Sequence, residues 1–326
     1  MTTFLTSLPK GFGEAVLSCR LRSIHEVVEV ALMLQKDFWV FRGHYNATWP
    51  LQTSLERATK DHTDWVIVFR SEERAISDFR NLTRLLLPQV ERRIDSLAAM
   101  QHYGVPTRLL DFSRSFFIAL FFAYEKGKNK QSDQHALWAI NMDKALRQSA
   151  VINDWIDKEI DCGLNALPTD DPVECHATES AIREGSFDFL HIDTAARMSR
   201  ILELAEELLR REPSGIRPGV LPIDIPGTNS RMQAQNGLFL MGTDFRPFEV
   251  KLVEAFGIKT GFGNPVDVSF EQLTHRLSEE ADVPVIKFVL GETVKSNVSQ
   301  LLNAANITIP RLFPDLVGIA SKIQYR

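Results

Sequence analysis

Cysteine is scarce. The 326 residues hold three, Cys19, Cys162 and Cys175. An odd, widely spaced set gives no disulfide framework, and Cys162 with Cys175-His176 does not make a zinc spacing. This usage fits a reducing cytoplasm, where the chain is expected to work. Long apolar runs are missing too. The run from Ser115 to Tyr124 falls far short of the ~20 residues that span a bilayer, so no membrane partner is expected. The N-terminal MTTFLTSLPKGFGEAV lacks the charged start and long apolar stretch of a signal peptide. Positive charge is not in excess either. The net charge is -5, so a nucleic-acid partner would have to be met by a local patch. There is no P-loop, no G-x-G-x-x-G, no H-E-x-x-H and no G-x-S-x-G, and Gly261-Phe262-Gly263 lacks both a third glycine and a preceding strand. No metal is expected. Repeats and low-complexity segments are absent. With 44% hydrophobic and 24% charged residues, the chain can bury one large core or two moderate ones.

What is present centres on Gln101 to Tyr124, QHYGVPTRLLDFSRSFFIALFFAY. Gly104 and Pro106 punctuate a turn. Thr107 to Phe112 can run as a buried strand, Ser113 can cap a helix, and Ser115 to Tyr124 is a helix apolar on every side. Arg108 and Asp111 are then charges at the edge of a core, costly unless paired or used. They are either a structural pair or part of a site. Gln101, His102 and Tyr103, three hydrogen-bonding side chains before a glycine, tilt the reading towards a site.

The rest of the chain alternates helices and strands, an α+β pattern around a mixed sheet. Residues 1–20 read as an arm broken at Pro9 and Gly11, and Ser23 to Lys36 as an amphipathic helix. Residues 1–36 are therefore set apart from a domain over 37–326. Asp37 to Arg42 is a strand ending in Phe41-Arg42-Gly43-His44, where the glycine admits a close approach by backbone or ligand. Ser71 to Leu87 is a helix with Ile76, Phe79, Leu82 and Leu86 inward. Residues 143–215 read as a helical insertion, with an acidic loop at Asn165 to Glu174 and an amphipathic helix at Arg197 to Arg211. Glu203, Glu206 and Glu207 are the wet face of that helix. Arg231 to Met241 and Val283 to Leu290 read as strands, and Pro310 to Ile323 as a closing helix.

Three polar islands lie beside apolar strands. The first is Arg42 and His44 with Thr53 and Ser54. The second is Gln101, His102 and Tyr103 with Arg108 and Asp111. The third is Arg231, Gln233 and Gln235, the two glutamines placed on one face by strand alternation. Arg42 is the natural ligand for an anion, because a guanidinium pairs bidentately with phosphate. Lys126, Lys128 and Lys130 are either a solvated loop or a contact for a nucleic-acid backbone.

Phe41-Arg42-Gly43, then Trp49-x-Leu51-x-Thr53-Ser54-Leu55, then Gln101-His102-Tyr103-Gly104-x-Pro106-Thr107-Arg108-Leu109-Leu110-Asp111, resembles the FRG-domain family. Arg231-x-x-x-Gln235-x-Gly237-x-Phe239 and Leu312-Phe313-Pro314-Asp315-Leu316 are similar to its later motifs. The resemblance runs from about residue 37 to the C-terminus and leaves 143–215 uncovered. Members occur in bacteria and phages, often near defence and toxin–antitoxin genes, and some are understood as ADP-ribosyltransferase-like toxins, including ones that modify nucleic acid. The resemblance implies a split sheet of ADP-ribosyltransferase type, wrapped by helices, and an aromatic-Arg-Gly strand that holds NAD phosphates. Gln233-Ala234-Gln235 puts a glutamine where that pattern has its catalytic glutamate.

On this footing the chain is expected to transfer ADP-ribose from NAD to RNA or DNA, as a toxin held by an antitoxin protein. Arg42, Asp111 and Gln235 would be catalytic. Arg42, His44, Thr53, Ser54, His102, Tyr103 and Arg108 would bind NAD. Two other readings stay open: a nucleotide- or phage-component-binding module without turnover, and a nuclease using Asp111 and His102.

Overall fold

Strand sequences buried on both faces, rich in β-branched and aromatic residues, build the frame. The strands are β1 (Val16–Leu21), β2 (Trp39–His44), β3 (Leu109–Ser113), β4 (Gln134–Asn141), β5 (Val220–Ile223), β6 (Gly237–Gly242), β7 (Val266–Val268) and β8 (Val285–Gly291). In the computed structural model they form one open sheet, ordered β5-β6-β3-β2-β4-β8-β1-β7. β1 pairs in parallel with β8 and β7, and every other neighbour is antiparallel. The structure describes residues 16–60, 64–88, 90–125, 132–148, 152, 154, 195–211, 216, 219–225, 230–258, 265–279 and 283–315.

Twelve helices among the described residues complete an α+β fold: α1 (Ile24–Met33), α2 (Ser54–Ala58), α3 (Trp65–Thr83), α4 (Arg93–His102), α5 (Phe116–Tyr124), α6 (Met142–Gln148), α7 (Ala195–Arg210), α8 (Ser230–Ala234), α9 (Phe248–Ala255), α10 (Phe270–Ser278), α11 (Glu292–Ala304) and α12 (Ile309–Leu312). Helices α1, α5, α10 and α11 bury Trp39, Phe41, Leu137, Ile286 and Phe288 on one face. Helices α6 and α9 cover the other, over Val40, Leu110, Trp138 and Leu240. Helices α3, α4 and α7 pack on Leu109, Leu221, Phe239 and Met241. Phe41 stands opposite Ser113, and Asp111 opposite Phe239. Cross-strand partners share a face, so the first and third groups of helices lie on the same side of the sheet. The seam between them runs over Gly43, Asp111 and Ser113.

Several expectations change. Residues 16–36 are not an appended arm: β1 sits between β8 and β7, and α1 belongs to the same core as α5. Helix α3 starts at Trp65 with Asp64 capping Val66 N, not at Ser71. Its inner face holds Val68, Glu72 and Ile76, while Leu82 and Leu86 are 81% and 78% exposed. The cap of α5 is Ser115, which accepts from Ile118 N; Ser113 instead accepts from Ser115 N. Arg231 to Met241 is helix α8, a turn and then β6, not one strand. Glu206 is largely buried and accepts from Ile94 N, so it is not part of a wet face. The described part of the closing helix stops at Leu312. The arm up to residue 15, Cys162, Cys175, the 165–174 loop, Gly261 to Gly263 and Lys126, Lys128 and Lys130 lie outside the described residues.

Candidate functional site

β2 pairs with β4 along all six of its residues, and β3 with β6 along all five, but β2 meets β3 only at Phe41 and Ser113. Beyond that pair the strands part. The opening is a cleft of about 1300 Å³, reached by Arg42, His44, Gln101, His102, Asp111, Arg231 and Gln235. Residues from all three polar islands therefore meet at one place. α5 explains the glycine. A Cβ on Gly43 would lie 2.0 Å from Ala119 O and 2.4 Å from Ala123 N. The close approach at this strand end is made by helix backbone.

Arg42 stands at the point of the split. Its Nε donates to His44 Nε2 at 3.1 Å, and its Nη1 donates to the backbone carbonyl of Asp111 at 2.5 Å. The guanidinium thus supplies a bridge where the strand ladder is missing. The Asp111 carboxylate is 3.9 Å from Nη1. Because Nε2 of His44 accepts, its Nδ1 carries the proton and donates to the Trp49 carbonyl at 3.3 Å. The ring is neutral. Burial first, and the Arg42 charge second, push its pKa down to about 3. Burial also lowers the pKa of Arg42, with Asp111 pulling the other way. The Arg42 side chain keeps 24% exposure, and Nη2 has no acceptor among the described residues.

The Gln101 block is a brace. Gln101 Oε1 accepts from Thr107 Oγ1 at 2.6 Å, while its Nε2 donates to Asp111 Oδ2 at 2.9 Å. One amide therefore ties the end of α4 to the start of β3. Ser54 Oγ accepts from Thr107 N at 3.0 Å and lies 3.2 Å from the Thr107 carbonyl. Thr53 is buried and caps α2 through Glu56 N. Thr53 and Ser54 are framework and do not line the cleft.

Arg108 is not in the cleft either. It is 4% exposed, with Nε donating to both Glu72 oxygens at 3.1 and 2.8 Å, and its guanidinium lies 4.0 Å from the centre of the Phe245 ring. Strand alternation sends Arg108 away from Asp111, which settles the two readings of that pair. Tyr103 is 63% exposed, edge-on to His102 and outside the lining. Gln233 lies on α8, also outside it.

The third island works through the C-terminal segment. Arg231 donates from Nε and Nη2 to Asp315 Oδ2, at 3.1 and 2.5 Å, and stands over the Phe313 ring. Gln235 Nε2 donates to the Leu312 carbonyl at 3.2 Å. Phe313 meets Phe122 edge to face at 6.0 Å and closes one wall. Sequence reading did not single out Arg57 or Glu125, and it met Phe122 and Phe313 only within longer stretches; all four line the cleft. The one available signal was at Glu125, a charge ending an apolar helix. Among the described residues no group of three or more His, Cys, Asp or Glu could hold a metal, and no helix is long and apolar enough to cross a membrane.

No curated protein and no solved structure matches the chain. Residues 37–132 match the FRG domain. That span carries Phe41-Arg42-Gly43, the 49–55 turn and the Gln101 to Asp111 brace, and over it the chain is similar to the FRG-domain family.

Proposed function

We propose that this chain is an NAD-dependent ADP-ribosyltransferase whose substrate lies in the split between β2 and β3. The observation that carries the reading is the meeting of a guanidinium, hydrogen-bonding groups and several aromatic rings in one cleft. At about 1300 Å³ the cleft exceeds an ordinary small-molecule pocket of ~300–1,000 Å³, leaving room for a dinucleotide beside an acceptor.

The reaction breaks the bond between ribose C1′ and the nicotinamide nitrogen, and the electron pair leaves with nicotinamide. A new bond forms from C1′ to a nucleophile. The protein must hold the pyrophosphate and steady an oxocarbenium-like centre. Arg42 would take the pyrophosphate on Nη2, kept in place by His44 and the Asp111 carbonyl. His102 would hydrogen-bond the ribose or nicotinamide. Asp111, oriented by Gln101, would hold a ribose hydroxyl, and Gln235 would line the acceptor side. Trp49, Phe122 and Phe313 offer ring faces for a base.

The acceptor as RNA or DNA, the toxin role and an antitoxin partner rest on the family resemblance. A second reading, nucleotide binding without turnover, is favoured by the amide of Gln235 where the transferase pattern has a carboxylate. Incubation with labelled NAD and RNA, DNA or protein separates the two. The transferase reading expects nicotinamide release and labelled acceptor, both abolished by Arg42→Ala in a folded protein. ADP-ribose binding with no release on any acceptor selects the second reading.

A further inference from the structure

We infer that Glu125 is the group in this cleft that takes the proton from the incoming acceptor. The inference rests on the transferase reading and names a residue that reading leaves out. Ala119 and Phe122 of α5 line the cleft, and so does Glu125, the extended C-cap that ends the helix. The three-residue spacing puts Ala119 and Phe122 on one side of the helix, and Glu125 follows at its end. The same helix is fixed over Gly43 by backbone contact, next to Arg42. Glu125 is thus the charged tip of an apolar face turned towards the split.

The other acids near the site are engaged. Asp111 accepts from the Gln101 amide and faces Arg42. Asp315 accepts twice from Arg231. Glu249 accepts from Leu51 N and Glu56 from Phe248 N, and neither lines the cleft. The Glu125 carboxyl has no hydrogen-bond donor or ion-pair partner among the described residues. Partial burial raises its pKa, towards the range in which a carboxylate serves as a base. In the proposed step the C1′–nitrogen pair departs with nicotinamide, and the acceptor oxygen or nitrogen bonds to C1′. Its proton passes to the Glu125 carboxylate and then to water. One bond breaks, one forms, and the net product besides nicotinamide is the ADP-ribosylated acceptor and a proton.

The test compares wild type, Glu125→Gln and Glu125→Asp in nicotinamide release with acceptor present, across pH, with ADP-ribose affinity measured alongside. Glu125→Gln should lose about 10²–10⁴-fold in rate, the usual worth of a positioned base. Its ADP-ribose affinity and melting temperature should not move. The wild-type rate should fall as pH drops through one ionisation, and that limb should vanish in Glu125→Gln while Glu125→Asp keeps it. An active wild type with an equally active Glu125→Gln, or with an unchanged acid limb, overturns the role of Glu125 alone. A wild type that neither binds ADP-ribose nor releases nicotinamide overturns the transferase reading and this inference with it.

Discussion

Arg42 and His44 stabilise each other by opposite means. The guanidinium needs an acceptor on Nε, and a neutral imidazole supplies one without a second charge. The cost is a histidine that resists protonation. Folded, its pKa is about 3; unfolded, it returns to its ordinary 6.5. Between those values the unfolded chain binds more protons, so stability rises with pH across the window. It is fully present above 6.5 and is lost as pH falls towards 3. From pH 6.5 to 5 this site should remove about 2 kcal/mol. Urea midpoints at the two pH values should therefore separate more in wild type than in His44→Gln, which cannot titrate. Equal separations would refute the account. Arg42 was legible as a residue of the cleft because a cation at a strand end beside glycine is unusual. The true partner of Arg108 was not legible. Glu72 lies 36 residues earlier on another helix, and only the folded chain brings the two together.

At the scale of elements, the contact between α5 and β2 sets the shape of the site. Ala119 and Ala123 present backbone atoms to Gly43, and no side chain fits between them. Gly43→Ala would require the helix to shift by more than a rotamer change can absorb. Overpacking of this kind costs ~1–3 kcal/mol and occasionally more, and two fixed backbone atoms place this case at the upper end. Urea unfolding should show a loss of about 3 kcal/mol. A variant as stable as wild type would mean that α5 is not seated on the strand. The apolar helix and the strand before it were readable from composition, because both are nearly uniform in character. The α8–β6 unit was not. Alternating residues suggested one strand, but Asn236 turns the chain with φ 44 before Gly237. The Asn236-Gly237 pair was the overlooked sign, a dipeptide that marks turns. β1 was hidden for another reason. A central parallel strand shows no alternation, and the nearby Pro9 and Gly11 drew the reading towards an arm.

For the whole molecule, the sheet is two laddered pieces, β5-β6-β3 and β2-β4-β8-β1-β7, joined by one residue pair and the Arg42 guanidinium. Each piece carries its own helices on the face where the cleft opens. Sequence patterning found β2, β3 and β8 and part of β6, but strand order is a long-range property, and nothing local marks where a ladder stops. The motifs pointed to residues that meet in space without showing that they meet across a gap in pairing. This architecture makes a specific demand on ligand binding. A dinucleotide held by Arg42 on one side and by Asp111 and Gln235 on the other would tie the two pieces together. ADP-ribose at a hundred times its Kd should then stabilise the fold by about 2.7 kcal/mol. Hydrogen exchange should slow in β2 and β4 and also in β3 and β6, since opening of the junction would now require the ligand to leave. Arg42→Ala should lose both effects. Slowing confined to one piece would mean that the ligand rests on a single wall, and the split would then be only a gap in the sheet.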